Sequence, residues 1–320
     1  MYREPSKMNR MPLLCSLLAL LLSPVAVLAQ DGSAPPEPAM PDIQGAETDT
    51  VTIEVPRETL AEDSELRRKL LFDNLTRDLD AYTLINDRSG LSFHKPMYVW
   101  PVTYSPDYSG EDTELIFQVG LKQRLFARNF FFGYTQKSFW QVYNSDDSRP
   151  FRETNYNPEL FYRWKPKKPI CAGCGLDIGF DHESNGQEVV DSRSWNRIIL
   201  ALYRQSGDTL LHLRAWYRLP EDAKKTPDDP KGDDNPDIAD FYGYGELRLQ
   251  RKLFGERNHM IATMLRGNPA TGKGAVQLNY SLPLGDDAFW SLNLWHGYGE
   301  SLIDYNNSIT RISFGVTLAR

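Results

Sequence analysis

Ile312-Ser313-Phe314-Gly315-Val316-Thr317-Leu318-Ala319 runs to within one residue of the end of this chain. Ile312, Phe314, Val316 and Leu318 share one face of an extended segment; Ser313, Gly315, Thr317 and Ala319 share the other. Such alternation marks a β-strand, because successive side chains point to opposite faces. The pattern recurs upstream. Val276, Leu278, Tyr280 and Leu282 oppose Gln277, Asn279 and Ser281, and Trp290, Leu292 and Leu294 oppose Ser291 and Asn293. Working back to residue 90, the spacing predicts twelve strands, at about 93–104, 112–125, 129–143, 153–165, 174–184, 193–206, 208–218, 239–252, 259–268, 274–283, 288–299 and 308–319. Short turns such as Ser206-Gly207-Asp208 and Gly285-Asp286-Asp287 alternate with longer loops at 144–152, 185–192, 219–238 and 300–307. A soluble sandwich, apolar face inward, would give the same alternation. An export signal, long strands, and Trp and Tyr gathered near strand ends favour an all-β, twelve-stranded antiparallel transmembrane β-barrel instead. An even strand number returns both termini to the periplasm and leaves the long loops extracellular. Many such barrels end on an aromatic residue, whereas this chain ends Leu318-Ala319-Arg320.

The first residues carry the export signal. Arg3, Lys7 and Arg10 form a basic start, Leu13 to Val27 is largely apolar, and Val27-Leu28-Ala29 supplies the small-residue cleavage pattern. The run is shorter than the ~20 apolar residues of a spanning helix, and the two leucines before Cys15 argue against a lipoprotein signal. Residues 1–29 are therefore read as a signal peptide, 30–90 as an N-terminal periplasmic extension, and 91–320 as the barrel. The extension is acidic and Pro-rich over 31–57, then carries leucines at 60, 66, 70, 71 and 75 in a moderately amphipathic pattern. Loss of Arg3, Lys7, Arg10 and Glu4 shifts the formal net charge from −7 to about −9. That balance disfavours nucleic acid as a partner, since phosphate binding wants a basic surface. Cys171 and Cys174 are the cysteines left after cleavage. No second CxxC or histidine pair completes a zinc site, and the Lys/Pro-rich turn around them lacks the helix start that activates a redox thiolate. A loop disulfide or two quiet thiols remain.

Chemistry concentrates in Gly179-Phe180-Asp181-His182-Glu183-Ser184-Asn185-Gly186-Gln187 and Ser192-Arg193-Ser194-Trp195-Asn196-Arg197. By parity His182 and Ser184 share a face with Leu176, Ile178 and Phe180, and Asn196 shares one with Ile198, Leu200 and Leu202. In a barrel that apolar face meets lipid. Polar groups there are costly unless paired. Serine becomes a nucleophile when a base takes its proton; histidine is the usual base, and a third polar group holds its tautomer. Asn196 can orient the ring without adding a charge, and backbone N–H groups around Ser184 and Gly186 could form an oxyanion hole. The competing reading places the same residues in the polar girdle of an inert barrel, and spacing alone leaves the two evenly matched.

His182-Glu183-Ser184-Asn185-Gly186, Ser192-Arg193-Ser194-Trp195-Asn196-Arg197, Pro150-Phe151-Arg152-Glu153-Thr154-Asn155-Tyr156, Asp233-Asp234-Asn235-Pro236-Asp237-Ile238 and Gly297-Tyr298-Gly299-Glu300-Ser301-Leu302-Ile303-Asp304-Tyr305-Asn306 together resemble the outer-membrane phospholipase A family. The resemblance covers most of residues 90–320. It implies a calcium-dependent barrel enzyme of the bacterial outer membrane that cleaves sn-1 and sn-2 esters of phospholipids and lysophospholipids, as a homodimer when active and a monomer when resting. By it Ser184 is the nucleophile, His182 the base and Asn196 the orienting residue. It also implies calcium (Ca2+) ligands at Ser148 of the partner subunit, the Gln187 carbonyl and Ser192, with Asp234 in a separate, monomeric site. Family members often carry Arg where Gln187 stands, but a carbonyl ligand is indifferent to that. Read without the resemblance, Asp234 is a turn-forming residue and Ser148 an ordinary loop residue.

Two other readings have distinct signatures. A passive channel needs an open lumen, yet the faces expected inside carry Asp181, Glu183, Arg197, Tyr203, His212, Arg214 and Trp216. A different barrel enzyme, such as a lipid A deacylase or a surface protease, is the other; a protease would hold its histidine and carboxylates in the lumen or loops.

Overall fold

The computed structural model describes residues 82–126, 129–166, 171–226, 228–285 and 288–320. The expected signal peptide, and the extension as far as residue 81, lie outside the described residues. The strands are β1 (Leu91–Phe93), β2 (Met97–Tyr104), β3 (Leu115–Leu125), β4 (Phe130–Trp140), β5 (Phe151–Trp164), β6 (Cys174–Ser184) and β7 (Ser194–Ser206). They continue with β8 (Thr209–Arg218), β9 (Gly245–Leu253), β10 (His259–Asn268), β11 (Lys273–Leu284), β12 (Ala288–Tyr298) and β13 (Ser308–Ala319). Each strand from β2 onward pairs antiparallel with its sequence neighbour, and β13 pairs back onto β2. Twelve strands, β2 to β13, thus close a barrel, the architecture expected from the alternation.

The predicted strand 93–104 is interrupted. β1 and β2 lie end to end against β3, with Phe93 opposite Leu121 and Tyr98 opposite Gln118. Four residues, His94 to Met97, therefore span what Val119 and Gly120 span on β3. Pro96 has no N–H to give the ladder. A Cβ on Gly120 would come within 2.9 Å of the Lys95 nitrogen, so the missing side chain makes room for the bulge. The bulge lets consecutive residues turn inward: His94 pairs with Glu159 and Lys95 Nζ lies 2.9 Å from Glu159 Oε1. A second correction concerns the predicted strand 239–252, which begins at Gly245. Ile238, Phe241 and Tyr242 instead occupy a short helix, α1 (Ile238–Tyr242). Their i, i+3, i+4 spacing lays all three on a cluster with Trp195, Trp216, Leu302 and Tyr305. Packing at the barrel mouth outweighs their strand propensity.

Burial alternates along the wall. In β7, Trp195, Arg197, Ile199, Ala201 and Tyr203 are buried, while Ile198, Leu200 and Leu202 are 42–50% exposed. The apolar face is thus the outer one, as a lipid belt requires. The interior holds charge in pairs. Arg163 forks onto Asp177 at 2.7 and 2.8 Å, Arg197 reaches Asp181 at 2.5 Å, and Arg214 joins Glu159 at 2.6 Å to Asp181. Arg311 lies 2.7 Å from Glu114 and 2.9 Å from Glu300. Pairing is the condition for burying such charges. The remaining lumen is a cavity of about 220 Å³, as the large inward side chains predicted.

Tyr82 to Ile85 plug the turn end, where Tyr82 and Leu84 pack with Tyr203, Leu210 and Met260. Lys122 Nζ and Arg163 Nη2 each donate at 2.8 Å to this segment's carbonyls, at Thr83 and Leu84. The non-aromatic terminus is absorbed inside as well. The Arg320 guanidinium covers the Phe289 ring at 3.5 Å, and its carbonyl accepts from Thr83 N–H at 3.1 Å. Cys171 and Cys174 are disulfide-bonded in the turn between β5 and β6.

Candidate active site on the outer wall

Strands β6 and β7 pair with His182 opposite Asn196 and Ser184 opposite Ser194. Direct cross-strand partners bring their Cβ atoms to about 4.5–5.5 Å. His182 Nδ1 and Asn196 Oδ1 are 2.9 Å apart. An amide oxygen only accepts, so Nδ1 carries the proton and Nε2 keeps its lone pair. All three residues are half-buried on the outer face, above the exposed Ile178 and Ile198. Ser184 lies two residues from His182 on the same side of β6. Its hydroxyl makes no hydrogen bond among the described residues, and such contacts are often long without substrate.

The local sequence shapes this spot. Pro158 on β5 cannot donate to β6, so the ladder skips from Tyr156–Ser184 to Glu159–Asp181. Asn157 Nδ2 fills the gap by donating to the His182 carbonyl at 2.6 Å. Beyond Ser184 the chain turns sharply. Asn185 is buried, accepting from Arg193 N–H at 2.8 Å and donating to the Asp191 carbonyl at 2.8 Å. Gly186 follows with φ +63°, in the left-handed region that glycine enters freely. Its N–H makes no hydrogen bond among the described residues, and the Tyr156 ring stands 3.3 Å from where its Cβ would be. An imidazole oriented through Nδ1 beside a hydroxyl, with an unengaged N–H nearby, can drive attack on an ester carbonyl.

The phospholipase A1 family profile matches residues 80–318. This chain belongs to that family. A putative phospholipase A1 of Neisseria meningitidis serogroup B is 38% identical over 274 residues, 76% of this chain and 69% of its own length. The phospholipases A1 of Klebsiella pneumoniae and Escherichia coli K12 are spanned over 61% and 60% of theirs. The Salmonella typhi outer membrane phospholipase dimer with bound calcium superposes with a TM-score of 0.61 at 30% identity, covering 75% of this chain and 96% of that one. An active-site asparagine-to-alanine mutant of Escherichia coli outer membrane phospholipase A gives a TM-score of 0.61 at 30% identity, covering 77% and 97% of the two chains. Like these phospholipases, the chain is a β-barrel protein of the outer membrane.

The residues expected around calcium in this phospholipase are only partly gathered. Ser192 Oγ donates to Asp234 Oδ2 at 2.8 Å, and Ser194 Oγ donates to the same oxygen at 3.3 Å. Gln187 is exposed on the same loop end, in the loop after β6. Ser148 stands apart, exposed in the loop between β4 and β5 with φ +58°. Asp234 is held as its turn chemistry suggests: Asp233 accepts from Asn235 N–H at 3.0 Å, and Asn235 Oδ1 accepts from Ser194 N–H at 3.0 Å. Lys224 Nζ lies 2.7 Å from Asp234 Oδ1. Among the described residues no three His, Cys, Asp or Glu side chains are grouped so as to hold a metal ion, so a metal here would draw on hydroxyl and carbonyl oxygens beside the Asp234 carboxylate. Those are hard donors suited to calcium, and the Lys224 ammonium shows that the Asp234 carboxylate accepts a cation.

Two participants escaped the sequence reading. Asn157 carried a readable signal, a proline next to it inside a strand. Glu221, whose Oε1 accepts from Asn196 Nδ2 at 3.1 Å, carried none, because it lies in a loop 25 residues downstream.

Proposed function

We propose that this chain hydrolyses the sn-1 and sn-2 acyl esters of phospholipids and lysophospholipids at the outer wall of its barrel. The observation that carries the reading is the His182 Nδ1–Asn196 Oδ1 hydrogen bond of 2.9 Å beside Ser184, on the lipid-facing side of a phospholipase A1 family barrel. Ser184 Oγ attacks the ester carbonyl as His182 Nε2 takes its proton. The Gly186 backbone N–H would face the developing oxyanion, whereas the Ser184 N–H expected beside it is engaged with Tyr156 across the β5–β6 ladder. The C–O bond to glycerol breaks, His182 returns the proton to the leaving alkoxide, and the lysophospholipid departs. Water activated by His182 then releases the fatty acid from Ser184. Asn196 keeps the imidazole in the one tautomer that performs both transfers. An active-site asparagine in the E. coli relative supports that role.

Calcium suits the same end of the barrel. Ser192 and the Gln187 carbonyl would hold it together with Ser148 of the partner subunit, and Asp234 would serve a separate site in the monomer. A calcium ion near Ser184 would supply positive charge to stabilise the oxyanion. The calcium-bound dimer of the Salmonella relative supports a homodimer, which would be the active form, with the monomer at rest. Both termini would be periplasmic and the loop end extracellular, as an even-stranded barrel dictates.

The test is phospholipid hydrolysis in detergent micelles with calcium or EDTA. Ser184→Ala is expected to lower ester release by about 10³-fold or more. Unchanged release would overturn the serine assignment, and indifference to EDTA would remove calcium while leaving the triad.

A further inference from the structure

Asn196 uses both ends of its amide. Its oxygen faces His182 at 2.9 Å, and its nitrogen faces Glu221 Oε1 at 3.1 Å. An asparagine amide alone has no polarity: turned over, it would present N–H groups to the imidazole and force the opposite tautomer. A carboxylate removes the ambiguity, because it only accepts. We infer that Glu221 is a positioning residue for the reaction, locking the Asn196 amide so that its oxygen faces His182. The order then runs one way. Glu221 accepts from Asn196, Asn196 accepts from His182 Nδ1–H, and Nε2 is left bare for Ser184.

The backbone around Glu221 is built to hold it there. Leu219 N–H donates to the Asn196 carbonyl at 2.8 Å, fastening the loop to the residue it orients. Pro220 then fixes φ immediately before Glu221. Farther on, Asp233 N–H donates to the Asp222 carbonyl at 2.8 Å, and Arg218 Nη2 reaches Asp233 Oδ1 at 2.5 Å. Glu221 therefore sits between two pinned points. Its own carboxylate is half-buried and makes no ion pair among the described residues. Holding a reactive group by a second layer of hydrogen bonds is how geometry near a nucleophile is kept within tolerance.

This inference rests on the Ser184–His182–Asn196 reading, and three variants separate the two. Ser184→Ala tests the reading itself. Glu221→Ala is expected to lower kcat about tenfold with KM unchanged, since the substrate surface is intact and only the tautomer is released. Glu221→Gln can still accept from Asn196 but its amide can also turn over, so it is expected to bring kcat only part of the way back from Glu221→Ala towards wild type. Heat-modifiable migration on gels verifies that each variant is folded. Wild-type kcat in Glu221→Ala, or an equal loss in Glu221→Ala and Glu221→Gln, would overturn the positioning role. Loss of hydrolysis in Ser184→Ala alongside either outcome would leave the triad standing.

Discussion

His182 is served from two sides by hydrogen bonds that do different work. Its ring is oriented by Asn196 and its carbonyl by Asn157, which covers the ladder gap that Pro158 opens. Asn196→Ala frees the ring without touching the nucleophile. We expect kcat to fall about 10- to 100-fold with the barrel still folded, measured on micellar phospholipid. Asn157→Ala has another consequence. It strands the His182 carbonyl without its donor and should cost about 1–3 kcal/mol of stability. Urea titration of the protein folded in lipid vesicles would measure that loss, and a midpoint equal to wild type would contradict it.

At the scale of elements, the loop between β8 and α1 brings both Glu221 and Lys224 to β7. Lys224 holds the carboxylate that calcium would want. Its ammonium and the metal therefore compete for Asp234, and Lys224→Ala is expected to tighten calcium binding several-fold, about 1 kcal/mol. Calorimetric titration with calcium checks this without reference to turnover. The loop between β12 and β13 depends on a carboxylate too. Burial by itself would raise the Asp304 pKa, but Arg152 at 2.7 Å and hydrogen bonds from Ser301 and Tyr108 hold it below its ordinary value. A carboxyl lowered in the folded state contributes stability above its unfolded pKa and loses it as pH falls through the folded one. The loop around Gly299 and Tyr305 should thus stay protected at neutral pH and open below about pH 4. Hydrogen exchange corrected for intrinsic rates would show it.

Across the whole molecule, the barrel is stabilised from inside by ion pairs and outside by lipid. Glu159 is central, contacting His94, Lys95 and Arg214. Glu159→Ala would leave Lys95 and Arg214 without the carboxylate they share inside the barrel. We expect a loss of about 3–5 kcal/mol, read from the urea midpoint. The same filled lumen makes a steady ion conductance in planar bilayers unexpected. A sustained open channel would contradict the packing described.

Alternation of apolar and polar residues was enough to predict the twelve strands, and it also placed His182, Ser184 and Asn196 on the outer face. Side-chain direction in a strand depends only on parity, a property of neighbouring residues. The disulfide was left open by spacing, and the bulge at His94–Met97 and helix α1 departed from the expected strands. Each depends on what stands opposite: Gly120 across the ladder, or the Trp195–Trp216 cluster at the mouth. The reach of Glu221 to Asn196 and of Lys224 to Asp234, and the plug formed by Tyr82 to Ile85, belong to the same class. Local periodicity carries no information about contacts between segments tens of residues apart, so only closure of the barrel brought these groups together.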